Sequence, residues 1–315
     1  MAARFPIQAK LGRAALPALL LLSFLLALGA MRSDLFPDSA AGVLPPMERE
    51  ALPFALLACA STLLAIARKA KWPRGLQLRS TIAVSLGLFV VPALLVYASA
   101  NWVSAYTRVA LFSLTPVFAV VFEPHIEGGA PSQQRGGLLA SLAAVVGAFC
   151  IFPVDLPLSP QAGLAFAAVI AASACGAAAN CHAVRLACIL PRGAFAPMAA
   201  LASASAATGL AAAGAITQGL TFPWTAIHSE LLWSALVALP GLFLLFWLMP
   251  RMTATRITTR FLLAPLIAIL ISIALDRPKV EPRVGLGILL ITAGAAWLLF
   301  SPDHESGADT SLLGL

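Results

Sequence analysis

The sequence is poor in charge, and this shortage decides its class. Of its 315 residues, 60% are hydrophobic and only 10% are Asp, Glu, Lys or Arg, whereas soluble domains carry about 25% charged residues. A soluble chain of this length could not bury so much apolar surface. Most of the molecule is therefore expected to face lipid.

Residues and motifs that carry chemistry are also scarce. The five cysteines form no CxxC pair and no zinc-type spacing with histidine, so neither a disulfide framework nor a metal site is predicted. No GxSxG, HExxH or Walker A motif occurs, which argues against an enzyme or an ATP-driven pump and implies no cofactor. The net charge of +7 comes from Lys and Arg scattered through short loops, so nucleic acid is not an expected partner.

What the sequence does contain is a series of ten apolar runs, each near the roughly 20 residues that a spanning helix needs. Lipid cannot satisfy the backbone of an open strand, so every run is predicted to be helical. The fold class is therefore an all-α integral membrane protein with ten transmembrane helices. The predicted spans are 13–31, 49–66, 81–98, 102–122, 136–152, 162–182, 193–217, 231–249, 254–275 and 284–300.

The ends of the runs predict how the chain lies in the membrane. The first run follows Arg4, Lys10 and Arg13, as in a signal peptide, but exceeds the apolar core of about 7–15 residues usual there, so we expect it to be retained. Lys and Arg concentrate in the tail before the first run and in alternate loops, above all 68–79. The positive-inside rule then places both termini in the cytoplasm, at a bacterial inner membrane.

The chain repeats itself at an offset of 144 to 149 residues, in the same span order. Single matches could reflect ordinary membrane-helix composition, but the whole series indicates an internal duplication. Because each half has five spans, the second copy must insert upside down, which predicts inverted repeats over 1–155 and 156–301, with a cytoplasmic tail at 302–315. The matches are Pro53 with Pro197, Pro92 with Pro240, Pro116 with Pro265, Glu127 with Asp276, and Gly136 with Gly285.

Segments 106–122 and 259–270, each an apolar helix with a central proline followed by Glu127 or Asp276, resemble the drug/metabolite transporter superfamily in its EamA-like branch. Segment 286–294 is similar to the last helix of that family. The resemblance implies a ten-helix secondary transporter that exports amino acids or related metabolites. The chain departs from the family at Leu28-Gly29, where Trp-Gly is frequent, and in its long first loop, 32–48.

Two arginines inside spans are the strongest candidates for substrate binding. Arg108 and Arg260 each lie several residues from the nearer end of a predicted span, where a guanidinium is costly and therefore indicates function. Their planar groups suit a carboxylate or phosphate, although each could instead snorkel to the interface. Tyr97 and Asn101 are candidates for the opening of a substrate cavity or for an aromatic belt, and Trp247 for a cavity wall or a lipid-facing stripe.

Small residues and prolines complete the predicted site. The four prolines are expected to kink helices and free backbone carbonyls near the membrane midplane, at Pro92, Pro116, Pro240 and Pro265. Gly29 and Gly176, in equivalent spans, are expected to let helices pack closely. No span carries Asp or Glu near its middle, so no carboxylate proton relay is predicted.

The sequence therefore predicts a carrier for a small organic metabolite, anionic or zwitterionic, that works by alternating access in a lipid bilayer. Its site is expected between spans three, four, eight, nine, one and six. A monomer and a homodimer both fit. Two alternatives stay open: a flippase for lipids or lipid-linked sugars, which predicts a lateral opening, and a scaffold without transport, which predicts no polar cavity.

Overall fold

The computed structural model describes residues 14–32, 44–127, 134–189, 194–219, 224–276 and 281–301. These ranges contain helices and short connections, and no strand. The basic residues before the first span, most of the first loop and the predicted tail at 302–315 lie outside the described residues. The helices are α1 (Ala15–Ala30), α2 (Pro46–Ala67), α3 (Leu76–Ser85, Leu86–Val90 and Val91–Ser99), α4 (Ala105–Phe112 and Thr115–Glu127), α5 (Gln134–Ile151), α6 (Pro160–Ile189), α7 (Phe195–Thr217), α8 (Trp224–Trp233, Ser234–Ala238 and Leu239–Leu248), α9 (Ala254–Thr258 and Arg260–Asp276) and α10 (Pro282–Phe300).

Eight helices of the described chain are long and apolar enough to cross a membrane, while α1 and α5 are apolar but shorter. Large apolar side chains point outward from the bundle, among them Leu139, Leu164 and Ile216. Lipid is the solvent that suits such a surface. The helical multi-pass character predicted from composition is therefore confirmed. Glu127 and Asp276, which lie just beyond the predicted spans, are the last residues of α4 and α9.

The prolines coincide with irregular turns that occur in pairs. Five-residue π-turns at Leu86–Val90 and Ser234–Ala238 end two residues before Pro92 and Pro240. Proline lacks an N–H and crowds the carbonyl four residues earlier, and a π-turn widens the backbone at that place. One carbonyl in the widened turn of α3, that of Gly87, accepts the Sγ–H of Cys175 on α6 at 3.4 Å.

The fourth and ninth helices begin and break alike. The hydroxyl oxygen of Ser104 accepts the N–H of Thr107 at 3.3 Å, and that of Thr253 accepts the N–H of Arg256 at 3.4 Å. These are N-caps, which satisfy backbone donors that have no partner in the first turn. Each helix is then interrupted, at 113–114 in α4 and at Thr259 in α9, shortly before its central proline.

The main helix contacts are alike in the two halves of the chain. The helix α2 packs along α7, and α5 packs along α10; α1 packs against α8 and α9, and α6 packs against α3 and α4. If every helix is exchanged for its counterpart five helices away, the same set of pairs results. An internal duplication predicts such a pattern.

Close approach between helices depends on glycines other than those expected. A Cβ atom on Gly287 of α10 would lie 2.6 Å from the carbonyl oxygen of Gly147 on α5, so no larger residue fits there. A Cβ atom on Gly29 would meet nothing within 4 Å, and one on Gly176 would meet only the Pro92 ring at 3.9 Å. The expectation of close packing is therefore not met at Gly29, whereas Gly176 is buried and a Cβ atom there would lie at ordinary contact distance from Pro92 of α3.

Candidate functional site

The open space beside these glycines is a cavity of about 700 Å³ inside the bundle. This volume lies within the range of roughly 300–1,000 Å³ that small-molecule sites occupy. Its lining comes from α1, α2, α3, α4, α6, α7, α8 and α9, together with Arg32 just after α1. No residue of α5 or α10 contributes to it. All six helices that the sequence predicts around a solute contribute residues to this lining. They are helices one, three, four, six, eight and nine.

The floor of the cavity is formed by Arg260 of α9 and Asn180 of α6, whose residues are only 4% and 1% exposed. The Asn180 Oδ1 accepts N–H groups from both terminal nitrogens of Arg260, at 3.3 and 3.2 Å. Asn180 also donates its Nδ2–H to the Gly176 carbonyl at 2.7 Å. This second bond fixes the amide, so its oxygen faces Arg260.

The guanidinium of Arg260 is held but not neutralised. It donates to the carbonyl of Ile257 at 3.1 Å and lies 4.6 Å from the Phe261 ring centroid. Within the described part of the chain, no carboxylate lies at ion-pair distance from it. A full positive charge therefore borders the cavity with only neutral dipoles and an aromatic face around it.

The wall of the cavity is apolar and aromatic. Phe54 of α2 and Phe89 of α3 both line it, with ring centroids 4.6 Å apart. Phe112 of α4 and Phe261 of α9 also line the cavity, and their rings stack with centroids 6.0 Å apart. Leucines of α1 and α8 add further apolar lining. Such a wall suits the hydrocarbon part of an organic solute.

The mouth of the cavity is charged with both signs. It is formed by Arg32, Arg49, Glu50 and Glu230, where α1 ends and α2 and α8 begin. Arg32 donates to the Glu230 carboxylate at 2.5 Å, and its guanidinium lies 5.2 Å from the Trp233 ring. Glu50 is exposed toward the open space. Helix ends of the two halves are thus joined across the mouth.

The opposite end of the cavity is closed. Behind the floor, Leu248, Met252 and Ile257 are almost completely buried in one apolar cluster. At the same end, the Glu123 carboxylate of α4 accepts the N–H of Thr255 at 2.8 Å and also its hydroxyl. Among the described residues, this end of the cavity is therefore closed by packed side chains.

The predicted site residues divide into two groups. Arg260, Pro92, Gly29 and Gly176 line the cavity, whereas Pro116, Pro240 and Pro265 lie in the same helices without lining it. The remaining candidates lie elsewhere, and their contact with a solute stays a prediction: Arg108 and Tyr97 are half-buried, Asn101 is exposed, and Trp247 stacks under the Arg251 guanidinium at 3.9 Å.

Several site residues were missed from the sequence. Asn180 does not stand out in the sequence, since the predicted span ends two residues after it, but it lies nine residues before the end of α6. Glu50 and Glu230 were placed at or outside span edges, but both lie in helices. The alternating charges at 48–50, next to an apolar run, were the signal that could have located the mouth.

Across the described ranges there is no group of three His, Cys, Asp or Glu side chains that could hold a metal ion. The lining combines a buried guanidinium with aromatic rings, which can bind and orient a solute. Recognition by charge and shape is what the arrangement provides.

Comparison with known proteins agrees at the level of the fold. No family model and no curated protein matches the chain. A solved structure described only as "Crystal structure of protein" is similar, with a TM-score of 0.71 and 17% identity over 92% of this chain and 99% of its own. At this identity the likeness shows a shared fold and carries nothing about activity.

Proposed function

We propose that this protein is a secondary transporter that moves a small organic solute across a membrane by alternating access. In this proposal α1 to α10 all cross the bilayer, as two inverted five-helix repeats of the EamA-like drug/metabolite transporter type. Both termini lie in the cytoplasm of a bacterium, and the mouth faces outward. The solute is anionic or zwitterionic.

One observation carries the proposal: an apolar helical bundle encloses a deep cavity with a charged residue at its floor. A buried guanidinium is costly in lipid surroundings, and such residues mark solute pathways. A scaffold needs no cavity of this kind. Closure at one end and opening at the other is the arrangement that alternating access requires in one of its states.

The paired irregularities of the helices support the repeat. The π-turns of α3 and α8, the capped starts of α4 and α9, and the exchangeable packing pairs all occur at equivalent places in the two halves. Five helices in each half then give the second half the opposite direction in the membrane.

The test is transport in proteoliposomes against a panel of organic anions, amino acids and amines, with and without a pH gradient. We expect saturable flux of at least one solute. Flux should fall at least about tenfold in Gly176→Leu, because the new side chain enters a cavity of ligand size. The matched control is Gly163→Leu on the same helix, outside the lining and with nothing within 4 Å of an added Cβ atom.

Two results would contradict the proposal. Flat traces for every solute, together with scrambling of labelled lipids, would indicate a flippase. Equal flux in Gly176→Leu and the unsubstituted protein would show that solute does not pass through this cavity. Equal loss in both glycine variants would point to damage of α6 instead of obstruction.

A further inference from the structure

The charges that line the cavity do not balance, and the imbalance lies at the floor. The lining holds three arginines and two glutamates, so its formal charge is one positive. At the mouth, Arg32 is paired with Glu230. Neither glutamate of the lining forms an ion pair with Arg260, so the charge at the floor has no counter-charge in this lining.

Arg260 also has hydrogen-bonding capacity to spare. A guanidinium carries five N–H donors, and the bonds of Arg260 to Asn180 and Ile257 number three. A buried charge with neutral partners alone is unfavourable, and the planar fork of arginine matches a carboxylate. The floor is therefore built to receive one anionic group.

The same floor offers no counter-charge to an ammonium group. Both glutamates of the lining stand at the mouth. Along α8, Glu230 at the mouth is fifteen residues from Leu245 at the deep end, on the order of 20 Å at the rise of a helix. In an α-amino acid one carbon carries both charged groups. Its ammonium would thus lie beside Arg260 and be repelled by that like charge.

We propose that the solute of this site is an organic monoanion, a carboxylate with an apolar body and no α-ammonium group. Arg260 receives the carboxylate, Asn180 positions the guanidinium, and the phenylalanine wall receives the hydrocarbon. This specificity rests on the proposed function only for the statement that the bound solute is carried across the membrane. It separates the site from an amino-acid carrier.

Three probes with one skeleton test the charge requirement: 3-phenylpropanoate, L-phenylalanine and 2-phenylethylamine. Binding to the purified full chain in detergent at pH 7 is measured by titration calorimetry. We expect 3-phenylpropanoate to bind at least about tenfold more tightly than L-phenylalanine, a difference of about 1.4 kcal/mol. The amine should not compete with it. Equal or tighter binding of L-phenylalanine or the amine, or binding of none of the three, overturns the proposal.

Two variants locate the effect at the floor. Asn180→Asp keeps the shape of the side chain and places a carboxylate where Oδ1 now lies, so it neutralises Arg260 from within. We expect both this variant and Arg260→Gln to lose at least about tenfold in affinity for 3-phenylpropanoate. The aspartate variant gives the result even if Arg260→Gln does not fold. Arg79→Gln, which removes an exposed arginine outside the lining, should bind as before.

Transport of the same probes separates this inference from the proposed function. Binding of 3-phenylpropanoate without flux in proteoliposomes would refute the transporter and leave the specificity standing. Flux with L-phenylalanine preferred would support the transporter and refute the specificity. Retention of full anion binding in Asn180→Asp would also refute it, because a neutralised arginine could not then be the receptor.

Discussion

Replacement of Gly287 by alanine should loosen the contact between α5 and α10. The added Cβ atom would lie 2.6 Å from the Gly147 carbonyl oxygen, a distance that must grow beyond 3.0 Å before the methyl group is accommodated. Backbone atoms cannot turn aside as a side chain can, so one helix has to move away from the other. In lipid, van der Waals packing of this kind is what joins helices.

The loss in free energy of unfolding follows from that displacement of the helices. A gap of about 0.5–1 Å forfeits a quarter to a half of each atomic contact along the interface, and overpacking in cores costs typically about 1–3 kcal/mol. Alanine also gains up to about 1 kcal/mol over glycine through helix propensity. The comparison should therefore be made with Gly285→Ala on the same helix, where an added Cβ meets nothing within 4 Å. Relative to that control, we expect a loss of about 1–3 kcal/mol.

Thermal unfolding in detergent gives the measurement, followed with a thiol-reactive fluorophore. The buried Cys181 is hidden in the folded bundle and reacts when the bundle opens. The melting temperature of Gly287→Ala should lie several degrees below that of Gly285→Ala. If the two variants melt together, α5 and α10 do not approach through these glycines, and the packing argument is refuted.

Three further predictions use the same unfolding assay. Glu230→Gln breaks a largely buried ion pair and should lower the free energy of unfolding by about 3–5 kcal/mol. Glu281→Gln breaks the exposed 2.6 Å pair with Arg283 and should lower it by at most about 1 kcal/mol. Similar losses in the two variants would contradict the burial of the Arg32–Glu230 pair. Glu123→Ala removes the acceptor of the Thr255 N–H in the first turn of α9 and should lower the free energy of unfolding by about 1–2 kcal/mol, with a smaller loss in Glu123→Gln. An unchanged melting temperature in Glu123→Ala would show that this hydrogen bond does not stabilise the helix start. Ser104→Ala and Thr253→Ala each remove an N-cap and should cost about 1 kcal/mol, and a loss at only one of them would argue against equivalent roles in the two halves.

Hydropathy located the helices because length and apolar content alone decide which segments can lie in lipid. Each predicted run overlaps a helix of the described structure, although the ends differ by several residues. The irregular turns beside Pro92 and Pro240 could also be predicted, because a proline inside a helix removes a backbone hydrogen bond. Arg260 was found because a charge deep in an apolar run is rare whatever its neighbours are.

Hydropathy does not predict which side of a helix faces the cavity. Arg108 and Arg260 both lie several residues inside apolar runs, and this depth does not show which of them faces the cavity. In the structure Arg260 lines the cavity and Arg108 does not. Asn180 acquires its role from a residue eighty positions away, and the Arg32 pair with Glu230 joins opposite halves. Such partners are set by tertiary packing.

The paired π-turns bear on the history of the chain. A π-turn holds one residue more than the α-turn that it replaces. Leu86–Val90 and Ser234–Ala238 stand 148 residues apart, each two residues before its proline. If the halves descend from one gene segment, that segment already carried the proline and the extra residue, and both copies inherited them. Related chains of single length would then be expected to carry the same extra residue.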